Sequence, residues 1–296
     1  MGEDARTTGA ALVAALSGYA SELPALERAA AADDPDGVHQ ARILVRRLRS
    51  LLAASRPYFA DGAADDVRAH LERLGDDLGE VRDLEVRIRH AEEHVGVGAD
   101  AAAVERLIVR ERARYREAHA GLVEAIAADG SAHDALAAFV GEPPYTGGAG
   151  GPADSSAEAG LRALLVAESR RVRRAARRAL GDLDSLHRLR RAARRLRYVG
   201  EAVTAGPAAV LGEDAAALAA AAKDVQDVLG DHRDALLFAL QVERAETAAR
   251  DAGEPVDDYP AIAASAFRAA TERIEALPDA WRSFRACADV VAAGED

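Results

Sequence analysis

The sequence predicts an all-α protein built from two similar halves, and three observations carry that prediction. Alanine, leucine, arginine and glutamate dominate the 296 residues, and aromatic residues make up only 4%. Helices packed through small side chains fit that composition better than a β-sandwich. Apolar residues recur at helical spacing over stretches of roughly 20–40 residues, with no convincing strand-like alternation. Finally, one eleven-residue pattern occurs twice. His39-Gln-Ala-Arg42-Ile-Leu-Val-Arg46-Arg47-Leu48-Arg49 and His187-Arg-Leu-Arg190-Arg-Ala-Ala-Arg194-Arg195-Leu196-Arg197 both read H-x-x-R-x-x-x-R-R-L-R, 148 positions apart. Six matched positions in one order, half a chain apart, point to an internal duplication.

The elements follow from turn signals. Breaks near residues 33–37, 61–62 and 96–98 divide the first half, and breaks near 181–182, 206–207 and 253–255 divide the second. This gives four helices per half and eight in all. Residues 141–156, rich in glycine, proline and serine, read as a linker. The chain is then one domain over 1–296, with a half at 5–140 and a half at 157–296. A second repeat supports the duplication: Leu78-Gly79-Glu-Val-Arg82-Asp83 matches Leu229-Gly230-Asp-His-Arg233-Asp234 at an offset of 151. Two equivalent four-helix units are expected to pack about a pseudo-twofold axis, with their basic fronts facing one another.

Each repeated segment makes an amphipathic helix. At 100° per residue, His39, Arg42, Arg46 and Arg49 fall within roughly an 80° arc, with Leu44, Leu48, Leu51 and Leu52 behind them. In the second copy His187, Arg190, Arg194 and Arg197 form the front, and Leu189, Ala193, Leu196 and Val199 the back. Asp36 or a neighbour is placed to cap the first helix, and Asp184 or Ser185 the second.

The net charge is −12, which argues against a general coat of nucleic acid or anionic membrane. The cationic minority is nevertheless clustered. Residues 39–49 carry four arginines and no acid, residues 187–197 carry six and no acid, and residues 162–178 carry seven against Glu168 alone. A solvated helical stripe normally interleaves acids and bases at i, i+4. These rows do not, so the neutralising anion must come from a ligand or from another helix. Arginine suits phosphate because its planar fork donates two parallel hydrogen bonds and keeps its charge. Rows spread over several turns fit an extended polyanion better than a single phosphate, and no glycine-rich nucleotide loop is present. His39 and His187, on the same faces, are read as ligand contacts, donating when neutral or adding charge at mildly acid pH. Arg82 and Arg233 are read mainly as partners of acids that hold neighbouring helices in register.

The doubled motif, the Arg197-Tyr198 that trails it and the paired Leu-Gly-x-x-Arg-Asp segments resemble the CHAD domain, the conserved-histidine α-helical domain, over roughly residues 5–295. The resemblance implies two symmetric four-helix bundles around a central basic channel, with inorganic polyphosphate as ligand. Carried over by position, the contacts are His39, Arg42, Arg46, Arg47 and Arg49 in the first half. In the second they are His187, Arg190, Arg194, Arg195 and Arg197, joined by Arg170, Arg174, Arg177 and Arg178 on the preceding arginine-rich helix. Arg82, Tyr198, Lys223 and Arg233 are supporting candidates. The chain departs from the family pattern in using arginine where lysine is common; Lys223 is the only lysine. The first helix has only Arg28 where its counterpart has the 170–178 run, so the channel is expected to be more basic on one side.

Other signals compete weakly. His90-Ala-Glu-Glu93-His94 fits an inverted zinc-peptidase motif, but no downstream helix offers a third ligand, and the segment reads as a solvated helix end. His232-Arg233-Asp234 echoes a kinase catalytic loop without its asparagine, since Ala239 stands there. Cys287 is the only cysteine and reads as packing. RNA is the main rival ligand, opposed by the scarcity of stacking aromatics in the basic helices; a helical scaffold gripping an acidic partner is the other alternative. The expectation is therefore a soluble, cytoplasmic, non-enzymatic binder of polyphosphate, serving polyphosphate-granule association or storage, with no metal, cofactor or membrane span.

Overall fold

A computed structural model describes residues 7–96, 99–128, 130–148, 150–179, 181–206 and 209–294. Val97, Gly98 and Pro207, in two of the expected breaks, Ala149 in the expected linker and the outer ends of the two halves lie outside the described residues. Among the described residues the chain is all-α, with two isolated β-bridges and no strands. The first half holds α1 (Thr8–Ala31), α2 (Gly37–Ala54), α3 (Ala63–His94), α4 (Ala101–Val104), α5 (Arg110–Ala128) and α6 (Ser131–Gly141). A π-helical turn, Glu105–Val109, joins α4 to α5 without interruption. The second half holds α7 (Ala157–Arg177), α8 (Leu183–Thr204), α9 (Glu213–Asp251), α10 (Tyr259–Ile274) and α11 (Leu277–Ala293).

Among the described residues each half therefore has five helical segments rather than four, counting α4, the π-helical turn and α5 as one. The fourth segment breaks before Ser131 in the first half and at Glu275-Ala276 in the second, where Pro278 sits in the first turn of α11. A proline there loses only an amide that a helix start leaves unbonded anyway, so it starts a new helix rather than bending the old one.

The periodic backs pack as the sequence requires. Leu44, Leu48, Leu51 and Leu52 of α2, and Leu189, Ala193, Leu196 and Val199 of α8, are all buried in one core shared by both halves. α2 packs directly on α8, α3 packs on α2, and α9 packs on α8. That arrangement brings the two repeated segments side by side and sets the two longest helices, α3 and α9, against their basic fronts. A smaller cluster, including Ala91, Leu107, Phe238, Val242 and Ile262, closes the far end where α3, the π-helical turn, α9 and α10 meet. Each such buried aliphatic side chain contributes on the order of 1.5–3 kcal/mol.

Two local expectations are corrected. Asp182 rather than Asp184 or Ser185 caps α8, accepting from the Ser185 amide at 2.9 Å. Asp36 occupies the N-cap position of α2 in a left-handed conformation, but its side chain accepts from Gln40 Nε2 at 2.7 Å instead of from a backbone amide. The 141–156 segment is also not a free tether. Tyr145 stacks on Phe59 with ring centroids 5.7 Å apart, Ala153 is buried, and the Thr8 hydroxyl donates to the Ser155 carbonyl at 3.1 Å. Composition suggested mobility, but long-range contacts with α1 and with the turn after α2 fix its course.

Candidate functional site

The fronts of α2 and α8 open onto one cavity of about 1700 Å³. Its described lining carries twenty-one arginines and Lys223 against eight carboxylates. In a protein of net charge −12 this is a strong segregation of charge, and low-dielectric walls of one sign focus the field inside a cleft.

From the repeated motifs, His39, Arg42, Arg46, Arg49, His187, Arg190, Arg194, Arg195 and Arg197 all line the cavity. The supporting candidates Arg82, Tyr198, Lys223 and Arg233 do too. Three expected residues do not. Arg47 turns away, bonding Glu201 on α8 at 3.1 Å while its guanidinium lies over the rings of Tyr19 and Tyr198. On α7 the inward row is Arg171, Arg174 and Arg178, not the set containing Arg170 and Arg177. The helix is phased by its buried residues Leu165, Glu168 and Val172, which leave 171, 174 and 178 flanking the core toward the cavity. α1 contributes no cavity arginine, so the uneven basicity expected from the first helix of each half is present.

The motif arginines divide by partner. Arg42 is paired with Asp83 at 2.9 Å and Arg49 with Glu72 at 2.6 Å, both from α3. Arg195 reaches Glu168 at 2.7 Å and the Ala53 carbonyl at 2.8 Å, tying α8 to α7 and to α2. Arg197 is held by Glu201 at 2.6 Å on its own helix. Among the described residues Arg46, Arg190 and Arg194 form no ion pair, although the charge of Asp234 partly offsets the burial of Arg190. Burial and then the charge of Arg194 push Arg46 down to about 9, while burial and then Arg190 push Arg194 down to about 10. Both therefore remain cationic at neutral pH, held together by the fold against their mutual repulsion. Burial is also the leading cause of the lowered values of His39 and His187, followed by Arg82 beside the first and Arg233 beside the second. His187 Nδ1 is buried with no hydrogen-bond partner, an open donor or acceptor in the wall of the site.

The second repeat has its own part in this geometry. A Cβ built on Gly230 would lie 3.1 Å from Nε and Nη2 of Arg190, so a side chain there would crowd the guanidinium. Gly79 faces Arg42 in the equivalent place with more room, 3.8 Å from Nη2. Gly230 thus lets α9 pass close over Arg190, whereas Gly79 leaves ordinary van der Waals room over Arg42. The cross-helix register contact is made by Asp83; Arg82, read from sequence as the register residue, pairs with Glu85 on its own helix at 2.7 Å. Arg233 likewise meets its neighbour Asp234, at 4.0 Å.

Sequence reasoning missed much of the wall. Arg87 and Arg89 of α3, Arg106 of the π-helical turn, Arg110 and Arg114 of α5 and Arg244 of α9 all line the cavity. A signal existed, since Arg106, Arg110 and Arg114 recur at intervals of four. It was masked by interleaved acids, of which Glu111 pairs with Arg114 at 2.6 Å; Arg106 is neutralised from afar, by Glu254 beyond α9 at 2.6 Å.

The fold and its cavity define an all-α protein with an arginine-rich cavity between its two repeated segments. The chain belongs to the CHAD domain family, whose model matches residues 14–243. It is 32% identical over 263 residues to the uncharacterized protein Rv2226 of Mycobacterium tuberculosis strain H37Rv, covering 83% of this chain and 47% of that protein. The uncharacterized protein MT2285 of strain CDC 1551 matches to the same extent. The chain thus spans about half the length of the curated relatives it matches. Its fold is similar to the crystal structure of the CHAD domain from the plant Ricinus communis, with a TM-score of 0.71 at 20% identity, covering 95% of this chain and 92% of that one. It is also similar to PptA from Streptomyces chartreusis, with a TM-score of 0.65 at 20% identity, covering 95% and 99%. No helix among the described residues is long and apolar enough to cross a membrane.

Proposed function

We propose that this protein binds inorganic polyphosphate, non-catalytically, in the cavity between the fronts of α2 and α8. The observation that carries the reading is the unpaired cationic centre: Arg46, Arg190 and Arg194 converge without carboxylate partners inside a lining with a large excess of arginine. A linear phosphate chain supplies a negative charge at every unit, matching forks repeated over several helical turns. Capture is electrostatic, with the apolar backs of α2 and α8 holding the rows fixed. The acidic exterior disfavours loose adsorption elsewhere. In the cell this reading fits storage, delivery or association with polyphosphate granules in the cytoplasm.

RNA is the rival ligand, and one observation counts against it. Among the described residues the Phe and Tyr rings in the cavity wall are Tyr198 and Phe238, and both are buried, Tyr198 against the guanidiniums of Arg47 and Arg197. Neither offers a free face for base stacking. Calorimetric titration with long-chain polyphosphate, tripolyphosphate and single-stranded RNA separates the readings. Preference for the long phosphate chain, weakening as salt rises, is expected; equal or tighter RNA binding would replace this reading with the nucleic-acid one.

A further inference from the structure

We infer that His90, Glu93 and His94, at the C-terminal end of α3, form a binding site for a divalent transition-metal ion of the zinc type beside the channel. Sequence alone made this segment a solvated helix end; Glu93 is exposed, but the two histidines are half-buried. Their rings stack on the ring of Phe238 from α9, at 5.8 Å for His90 and 5.6 Å for His94, and lie 6.2 Å from each other. One ligand atom from each of the three residues can be chosen so that all lie within 4.8 Å of one another. Spacing at i, i+3 and i+4 places them on one helical face.

The surroundings match what such an ion needs. His94 Nδ1 lies 3.1 Å from the Ser265 hydroxyl of α10, an outer contact of the kind that fixes a ligating imidazole and leaves its Nε2 for the metal. Both ring nitrogens of His90 are buried with no hydrogen-bond partner, although Nδ1 lies 3.4 Å from a Glu93 oxygen. A buried imidazole without partners is unfavourable unless something accepts its lone pair, and a metal ion does so. Two imidazoles and one carboxylate form a donor set suited to zinc, leaving at least one coordination position open. His90 also lines the basic cavity, so the open position is available to an oxygen from a ligand in the channel. Glu93 lies 3.9 Å from Nε of Arg89 in the cavity wall, a contact that a bound ion would replace; none of the three residues belongs to the arginine rows of α2, α7 and α8, so zinc binding by the ligand-free chain is tested apart from polyphosphate binding.

The test is titration of the whole ligand-free chain with zinc, followed by calorimetry, and with cobalt(II), followed by visible absorption. One equivalent of zinc is expected, together with a cobalt spectrum of low-coordinate nitrogen and oxygen ligation. The double variant His90→Ala, His94→Ala should lose both signals, while His39→Ala, His187→Ala keeps them. Since removing His90 also removes packing against Phe238, His94→Gln provides a milder variant that should weaken binding at least tenfold with helicity unchanged by circular dichroism. Absence of zinc binding by the unmodified chain, or one-equivalent binding unaffected by changing both His90 and His94, would overturn the assignment.

Discussion

The two copies of the repeated segment carry the same residues in different company. In the first half, α3 answers the arginines of α2 with carboxylates, Asp83 on Arg42 and Glu72 on Arg49. In the second half, the position equivalent to Glu72 is Lys223, which binds Asp227 on its own helix at 2.5 Å, and Arg190 has no ion pair although Asp234 stands where Asp83 does. In the second half Arg195 and Arg197 keep counter-ions, Glu168 and Glu201, but among the described residues Arg190 and Arg194 form no ion pair, and the first helix of this half adds Arg171, Arg174 and Arg178 to the wall. The comparison teaches that a shared motif does not mean shared duty: the first copy is largely satisfied by the protein itself, and the second leaves more charge for a ligand. Arg46 and Arg194 are the exception, unpaired in both copies.

That contrast can be broken most sharply at the shared centre. Arg46→Glu with Arg194→Glu should weaken polyphosphate binding by at least ~100-fold in calorimetry, since each lost charge-assisted contact removes about 1.5–3 kcal/mol and reversal adds repulsion. Helicity should be unchanged. The next effect is on stability. Arg195 and Glu168 form a largely buried pair, and Arg195→Ala should destabilise the fold by about 3 kcal/mol in denaturant titration because it leaves the buried Glu168 carboxylate with the longer contact from the more exposed Arg171, at 3.5 Å. Arg47→Ala, at the more open pair with Glu201, should cost clearly less.

A smaller difference sharpens the comparison between halves. Arg190→Ala should weaken binding about tenfold, while Arg42→Ala, whose charge Asp83 already occupies, should cost only a few-fold. Equal losses would mean that the carboxylates of α3 do not compete with the ligand. The smallest effect is that of pH. The folded values of His39 and His187 lie below their ordinary 6.5. Stability of the ligand-free protein is therefore intact above pH 6.5 and declines as the pH falls through those lowered values, where buried histidines must take up charge. A bound polyanion favours the charged form, so affinity should move the opposite way, rising a few-fold from pH 8 to pH 5.5. Calorimetry across that range should show proton uptake on binding, and His39→Ala with His187→Ala should flatten the profile.

The legible part of this molecule was the part governed by local period. Leucines at helical spacing placed the backs of α2 and α8 in the core, and acid-free arginine rows placed their fronts in one cavity. What the sequence hid depends on long-range placement. The rotation of α7 follows from which residues meet the core, so the choice between Arg170 and Arg171 could not be made from an arginine-rich stretch alone. Arg47 and Arg195 sit in the motif beside channel residues yet serve the scaffold, because Glu201 and Glu168 reach them from positions no spacing rule connects. Interleaved acids concealed the α5 row, and the packing of Tyr145 on Phe59 concealed the order of the central segment.

The central claim is that a phosphate chain lies inside the cavity against the unpaired arginines. A crystal structure of the protein with a polyphosphate long enough to span the cavity tests it most directly. The account predicts continuous density between α2 and α8, with phosphate oxygens within hydrogen-bonding distance of Arg46, Arg190 and Arg194. Density confined to the outer surface, or an unchanged cavity at saturating polyphosphate, would contradict it.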